Sequence, residues 1–233
     1  MKKWIAMLCA VVLCMSLAAC GSEKATVETP AEVPAEDQTM VTVTVASAGE
    51  LAVCAQTIPV TDLDEDGAVT IADALAAAHA AFYPDGEGYA AEMTDYGLSI
   101  VKLWGVENGG SYGYYVNNAS AFNLADPVAD GDYVAAFSYA DLTAWSDTYT
   151  WFNDLVVTPG EVTLTLSAAS FNENWEPVTL PVNLAKILIN GEATDFYTDE
   201  HGDVTLTVAA GDIISAEVEG MVIVPPVCVV VAQ

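Results

Sequence analysis

Short runs that alternate apolar and polar residues recur along the whole chain, and they restrict it to folds assembled largely from β-strands. Val41-Thr-Val-Thr-Val45, Val162-Thr-Leu-Thr-Leu166 and Val204-Thr-Leu-Thr-Val208 each place every second side chain on one face. That is the period of a half-buried strand. Residues 185–189, 213–218 and 227–231 add further runs, and Asn190-Gly191 between two of them is a strong hairpin turn. From Val156 onward no other pattern occurs, and the regular spacing predicts a β-sandwich. One helix interrupts the strands. Ile71, Leu75, Ala78 and Phe82 recur at helical spacing, and Pro84, Gly86 and Gly88 close the segment. Residues 98–104, 112–116 and 133–137 are aromatic and β-branched strand candidates, so residues 41 to about 139 read as an α+β unit with one helix on a sheet.

Charge removes whole classes of partner. The chain has 33 acidic residues against 5 basic ones, a formal net charge of −28, and no arginine. Such a surface cannot neutralise phosphates, which excludes nucleic acid. Electrostatic attachment to anionic lipid is excluded in the same way. The field favours cations. A hydrophobic content of 53% separates the chain from disordered acidic segments.

The sharpest candidate for such a cation is Asp62-x-Asp64-x-Asp66-Gly67-x-Val69-x-x-x-Asp73, which resembles an EF-hand or dockerin calcium loop. Calcium takes several hard oxygens. The resemblance assigns Asp62, Asp64 and Asp66 to the first three ligand positions and Gly67 to the sharp turn. The Ala68 carbonyl, Thr70 and Asp73 follow as the remaining ligands. The implied affinity is weak, ~10⁻⁴–10⁻³ M, with calcium holding the start of the helix. The same residues have a plainer reading. Thr70-x-x-Asp73 is a capping box, and the aspartates before it form a solvated turn.

A second resemblance covers the first half. Thr70-Ile-Ala-Asp-Ala-Leu75 opens the helix. Leu98-Ser-Ile-Val-Lys-Leu-Trp-Gly105, Tyr112-Gly-Tyr-Tyr-Val-Asn-Asn118 and Val128-Ala-Asp-Gly-Asp-Tyr-Val134 follow. This order resembles the transcobalamin C-terminal-like domain of bacterial surface proteins. It implies a β-grasp-like domain over residues 40–154 that captures cobalamin or another small molecule. Trp104, Tyr112, Tyr114, Tyr115 and Asn117 are the candidate ligand surface. Alternation puts Tyr112 and Tyr114 on one strand face and Tyr115 on the other, so one set belongs to the core. Trp145, Tyr149, Trp151 and Phe152 fall at the junction with the second half, where packing is the expected role. In residues 155–233, Ile189-Asn-Gly-Glu192 and Tyr197-Thr-Asp-Glu-His-Gly-Asp-Val204 resemble hairpins of bacterial immunoglobulin-like surface modules. They imply support without chemistry.

The N-terminus resembles a bacterial lipoprotein signal: Lys2-Lys3, an apolar run to Leu17, then Leu17-Ala-Ala-Cys20. The run is shorter than the ~20 residues of a spanning helix. The resemblance implies that residues 1–19 are a signal peptide and that Cys20 carries a diacylglyceryl thioether. The chain is then tethered at the extracellular face of the bacterial cell membrane by an acidic, proline-containing linker, residues 20–39. Cys54 and Cys228 form either one disulfide or two separate buried thiols. No cysteine spacing suggests zinc. His79 and His201 have no nucleophile at readable spacing, so catalysis is not expected.

The expected architecture is thus an α+β β-grasp-like domain with one main helix, followed by an all-β immunoglobulin-like sandwich. The expected function is calcium-stabilised capture of a small ligand at the cell surface. The competing reading is calcium-dependent adhesion to glycan or protein.

Overall fold

The structure is a computed structural model that describes residues 38–109 and 111–232. The segment expected to be a signal peptide, Cys20 and most of the expected linker lie outside the described residues. Alternation dominates from the first described residues. β1 (Thr39–Ser47) and β2 (Glu50–Val60) form an antiparallel hairpin. Helix α1 (Ile71–Phe82) follows, then the small hairpin β3 (Ala90–Thr94) and β4 (Gly97–Lys102). β5 (Tyr112–Val116), the two-residue β6 (Ala119–Ser120) and β7 (Tyr133–Ser138) return to the first sheet. Its order is β2-β1-β7-β5-β6, with β7 parallel to β1 and antiparallel to β5.

The second half contains strands and turns. β8 (Thr148–Phe152), β9 (Val156–Val157), β10 (Gly160–Phe171), β11 (Pro177–Pro181), β12 (Lys186–Ile189) and β13 (Glu192–Tyr197) come first. β14 (Asp203–Val208), β15 (Ile213–Glu217), β16 (Ile223–Val224) and β17 (Cys228–Val230) complete it. One sheet runs β11-β10-β8-β16, with β14 also on β10, and the other runs β13-β12-β15-β17-β9. Asn190 and Gly191 link β12 to β13 with φ of 54° and 79°, the left-handed pair that a tight hairpin needs.

The expectation of an α+β, β-grasp-like half built on a main helix is corrected by this architecture. The described residues are 51% strand and 8% helical, with one α-helix among several sheets, which is the balance of an all-β sandwich. The physical reason is the shortness of the helix and the narrowness of its apolar stripe. α1 has 12 residues and buries Ile71, Ala74, Leu75, Ala78 and His79, while Phe82 is 42% exposed. Tyr83 is extended before Pro84, so the helix stops there.

Three apolar clusters hold the strands. The first packs α1 on Val41, Val43, Val45, Val134 and Ala136. The second joins the inner faces of the two later sheets through Leu164, Leu166, Ile187, Leu206 and Ile214. A third, smaller cluster of Ala46, Ala135, Phe137, Tyr149 and Val224 lies where β7 meets β8. Cys54 and Cys228 are two separate thiols, and burial pushes Cys228 up to about 12.

Candidate metal centre and ligand cavities

The stretch between β2 and α1 is too polar to extend the strand and too short to bury itself, so its carboxylates bond back to its own backbone. Gly67 N–H donates to Asp62 Oδ2 at 2.8 Å, and Asp66 N–H donates to Asp62 Oδ1 at 3.2 Å. Ala68 N–H donates to Asp66 Oδ1 at 3.0 Å. Gly67 stands at φ +99°, where a side chain is strained, and this lets the chain double back. The result brings one carboxylate oxygen each from Asp62, Asp64 and Asp66 within 4.8 Å of one another. This exposed cluster can hold a metal ion.

The three groups do not share the burden equally. The Gly67 N–H, with help from Asp66 and Glu65, draws Asp62 below the ordinary carboxylate range. Asp64 moves the other way, through desolvation and then the Asp66 charge beside it. A cation among them relieves that repulsion.

Thr70 and Asp73 are placed differently. They form a complete capping box: Thr70 Oγ1 accepts from Asp73 N at 3.3 Å, and Asp73 Oδ2 accepts from Thr70 N at 2.8 Å. The Thr70 hydroxyl also donates to Asp73 Oδ2 at 2.7 Å. Asp73 is 4% exposed, and its Oδ1 accepts the Leu63 N–H at 3.0 Å. Both side chains therefore secure the helix start, and the Leu63 contact ties that cap to the acidic loop. Ala68 is half-buried beside them.

The five residues expected to form a ligand surface are divided between the two faces of the sheet and a turn. Tyr112 and Tyr114 pack against the helix-side core, while Tyr115 belongs to the junction cluster on the opposite face. The Tyr112 hydroxyl lies 2.8 Å from the carbonyls of both Val101 and Val106. Trp104 packs on the same core, with its ring 5.1 Å from Tyr83 and 5.3 Å from His79. Asn117, at φ 50°, is a turn staple. Its Oδ1 accepts from Tyr133 N at 2.9 Å, and its Nδ2 donates to Asp132 at 2.8 Å.

Tyr115 nevertheless leads to a cavity that the local pattern did not reveal. Its ring stacks on Tyr149 at 3.7 Å, and Tyr149 stacks on Trp151 at 5.5 Å. Beside this ladder is a cavity of about 220 Å³, lined by Tyr133, Tyr149, Trp151, Asn117, Asn118 and Thr150 among others. The Tyr149 hydroxyl donates to Asn118 Oδ1 at 2.9 Å. Burial pushes the Tyr133 and Tyr149 hydroxyls up, so both stay neutral hydrogen-bonding groups. The signal missed was long-range: β5, β7 and β8 meet only through pairing and packing.

Among the described residues, no helix is long and apolar enough to cross a membrane. No family model, curated protein or solved structure matches this chain.

Proposed function

We propose that the chain is a lipid-tethered binding protein of the bacterial cell surface, braced by calcium, that captures a small ligand without transforming it. The observation that carries this reading is the Asp62, Asp64 and Asp66 cluster, coupled through Leu63 and Asp73 to the cap of the only α-helix among the described residues. Hard carboxylate oxygens in a strongly acidic chain suit calcium better than a softer metal. The lipobox-like Leu17-Ala-Ala-Cys20 supports tethering through Cys20. The cavity beside Tyr149 supports capture. Its volume of about 220 Å³ falls below the ~300–1,000 Å³ of sites that enclose drug-sized ligands, which favours a compact molecule over a corrinoid such as cobalamin.

The test is calorimetric titration of calcium into the full chain, with cobalamin and then smaller compounds titrated into the calcium and EDTA forms. One saturable calcium site near ~10⁻⁴–10⁻³ M, lost in Asp62→Asn, is the expected result. Absence of calcium heat overturns the brace. Saturable heat from cobalamin overturns the preference for a compact ligand.

A second reading, adhesion to glycan, draws on the β10–β11 turn. Trp175 is 83% exposed and Phe171 59%, with ring centroids 6.4 Å apart. Asn172 and Glu176 hydrogen-bond beside them. Exposed aromatic faces next to amide and carboxylate groups suit a sugar. Retardation by polysaccharide gels that is abolished in Trp175→Ala would favour this reading.

A further inference from the structure

We infer that the cleft between β2 and the outward face of β12 and β15 is a second binding site, for a small neutral molecule with an apolar body and one hydroxyl or carbonyl oxygen. The cleft measures about 490 Å³ and adjoins the tyrosine-lined cavity, with which it shares Pro225 alone. This volume lies within the ~300–1,000 Å³ range of small-molecule sites. Leu51 and Cys54 form one wall, Leu188 and Ile213 the other, and Pro225 closes an end.

Strand alternation identifies the polar anchor. Ile214 and Ala216 point into the core of the sandwich. Ser215 between them lies on the other face, paired across the ladder with Leu188. Ser215 is 6% exposed and lines the cleft, and its Oγ, closed to solvent, has no hydrogen-bond partner among the described residues. A buried hydroxyl without a partner is unfavourable, and alanine would pack the same wall without that penalty. Rotation about the Ser215 Cα–Cβ bond turns the closed-off hydroxyl toward the cleft, where a ligand oxygen accepting from it supplies the partner it lacks.

Charge selects the ligand class. Among the described residues no lysine lines the cleft, Glu50 is at its rim, and the chain as a whole carries −28. Anions are therefore repelled. The hydrocarbon walls reward an apolar body, and the single hydroxyl rewards one oxygen.

The test uses the full chain, with cyclohexanone and cyclohexanol as probes and cyclohexanecarboxylate and methylcyclohexane as controls. Saturation-transfer NMR reads binding. Protection of the half-buried Cys54 from alkylation, read on its peptide by mass spectrometry, locates it. The inference expects saturable binding of the two oxygenated probes, with Cys54 protected. It also expects at least fivefold weaker binding in Ser215→Ala and loss of binding in Leu188→Trp. Ser215→Ala should melt no lower than wild type, which keeps the result readable if Leu188→Trp does not fold. Equal affinity in Ser215→Ala, or no saturable binding of either oxygenated probe, overturns it. The calcium titration above is independent of every one of these outcomes.

Discussion

His79 Nε2 accepts the backbone N–H of Trp104 at 3.0 Å, while its Nδ1 lies 2.6 Å from the Leu75 carbonyl. One nitrogen must accept and the other donate, which assigns the neutral imidazole with the proton on Nδ1. The ring is fully buried, at 0% exposure, and packs 5.3 Å from both Tyr89 and Trp104. The last turn of α1 is thereby fastened to the segment after β4, where Trp104 turns at φ 49°.

A histidine held this way makes stability depend on pH in one direction. Burial lowers its pKa from 6.5, so the unfolded chain takes up the proton first. Stability is full above pH 6.5 and is lost as pH falls from there toward the lowered folded value. His79→Phe keeps the ring but leaves the Trp104 N–H unpaired, a cost of roughly 1–3 kcal/mol. Thermal melts between pH 5 and 7.5 should show a lower, flatter curve for the variant. A variant curve parallel to wild type would refute the role of the neutral ring.

Gly113 lies opposite Phe137 on the adjacent strand. A Cβ there would stand 2.3 Å from the tip of the Phe137 ring, and Phe137 is only 2% exposed. The ring cannot swing into solvent without leaving the junction cluster. Gly113→Ala should cost about 1–3 kcal/mol by overpacking. The urea midpoint measures it, and an unchanged midpoint would mean that the ring moves freely.

How much of this was legible depends on whether the information was local. β1, β10 and β14 follow from strict alternation, and the turn at Asn190-Gly191 follows from its need for positive φ. The aspartate cluster was visible because Asp62, Asp64 and Asp66 lie within five residues. β3 was not, since Ala-Ala-Glu-Met-Thr has no alternation, and two-residue strands such as β9 and β16 carry no period at all. The visible stripe of α1 therefore gave the helix too much weight in the expected architecture. The ladder of Tyr115, Tyr149 and Trp151 unites segments more than 30 residues apart, as does the cleft around Ser215. Both depend on sheet order, which residue spacing does not encode.

Asp141 predicts the acid limb. Its carboxylate accepts from the N–H groups of Thr143 and Ala144 at 2.9 and 3.0 Å, and from the Ser146 hydroxyl at 2.7 Å. These bonds, the Ala144 N–H foremost, draw its pKa from 3.8 to about 2. A depressed carboxylate stabilises the fold above 3.8 and loses that contribution as pH falls toward 2. Asp141→Asn should be less stable than wild type at pH 7 and should converge with it near pH 2. NMR titration of the side chain and melts across pH 2–7 give the check. Curves that stay separated at low pH would contradict it.

Asp64 offers a prediction whose sign reverses with the solvent. Without a cation its charge is opposed by desolvation and by Asp66, with which it shares the 4.8 Å cluster. Asp64→Asn removes that repulsion, so in EDTA the variant should melt at or above wild type. On the proposed calcium reading the same carboxylate becomes a ligand once calcium is added, and the variant loses it. Wild type at calcium 100-fold above its dissociation constant should gain about 2.7 kcal/mol, and the variant much less. The two melting curves should therefore cross as calcium is added. A variant less stable than wild type in EDTA would show that Asp64 holds the loop by hydrogen bonding to the Asp66 N–H, at 3.4 Å, and not as a repelled charge awaiting a cation.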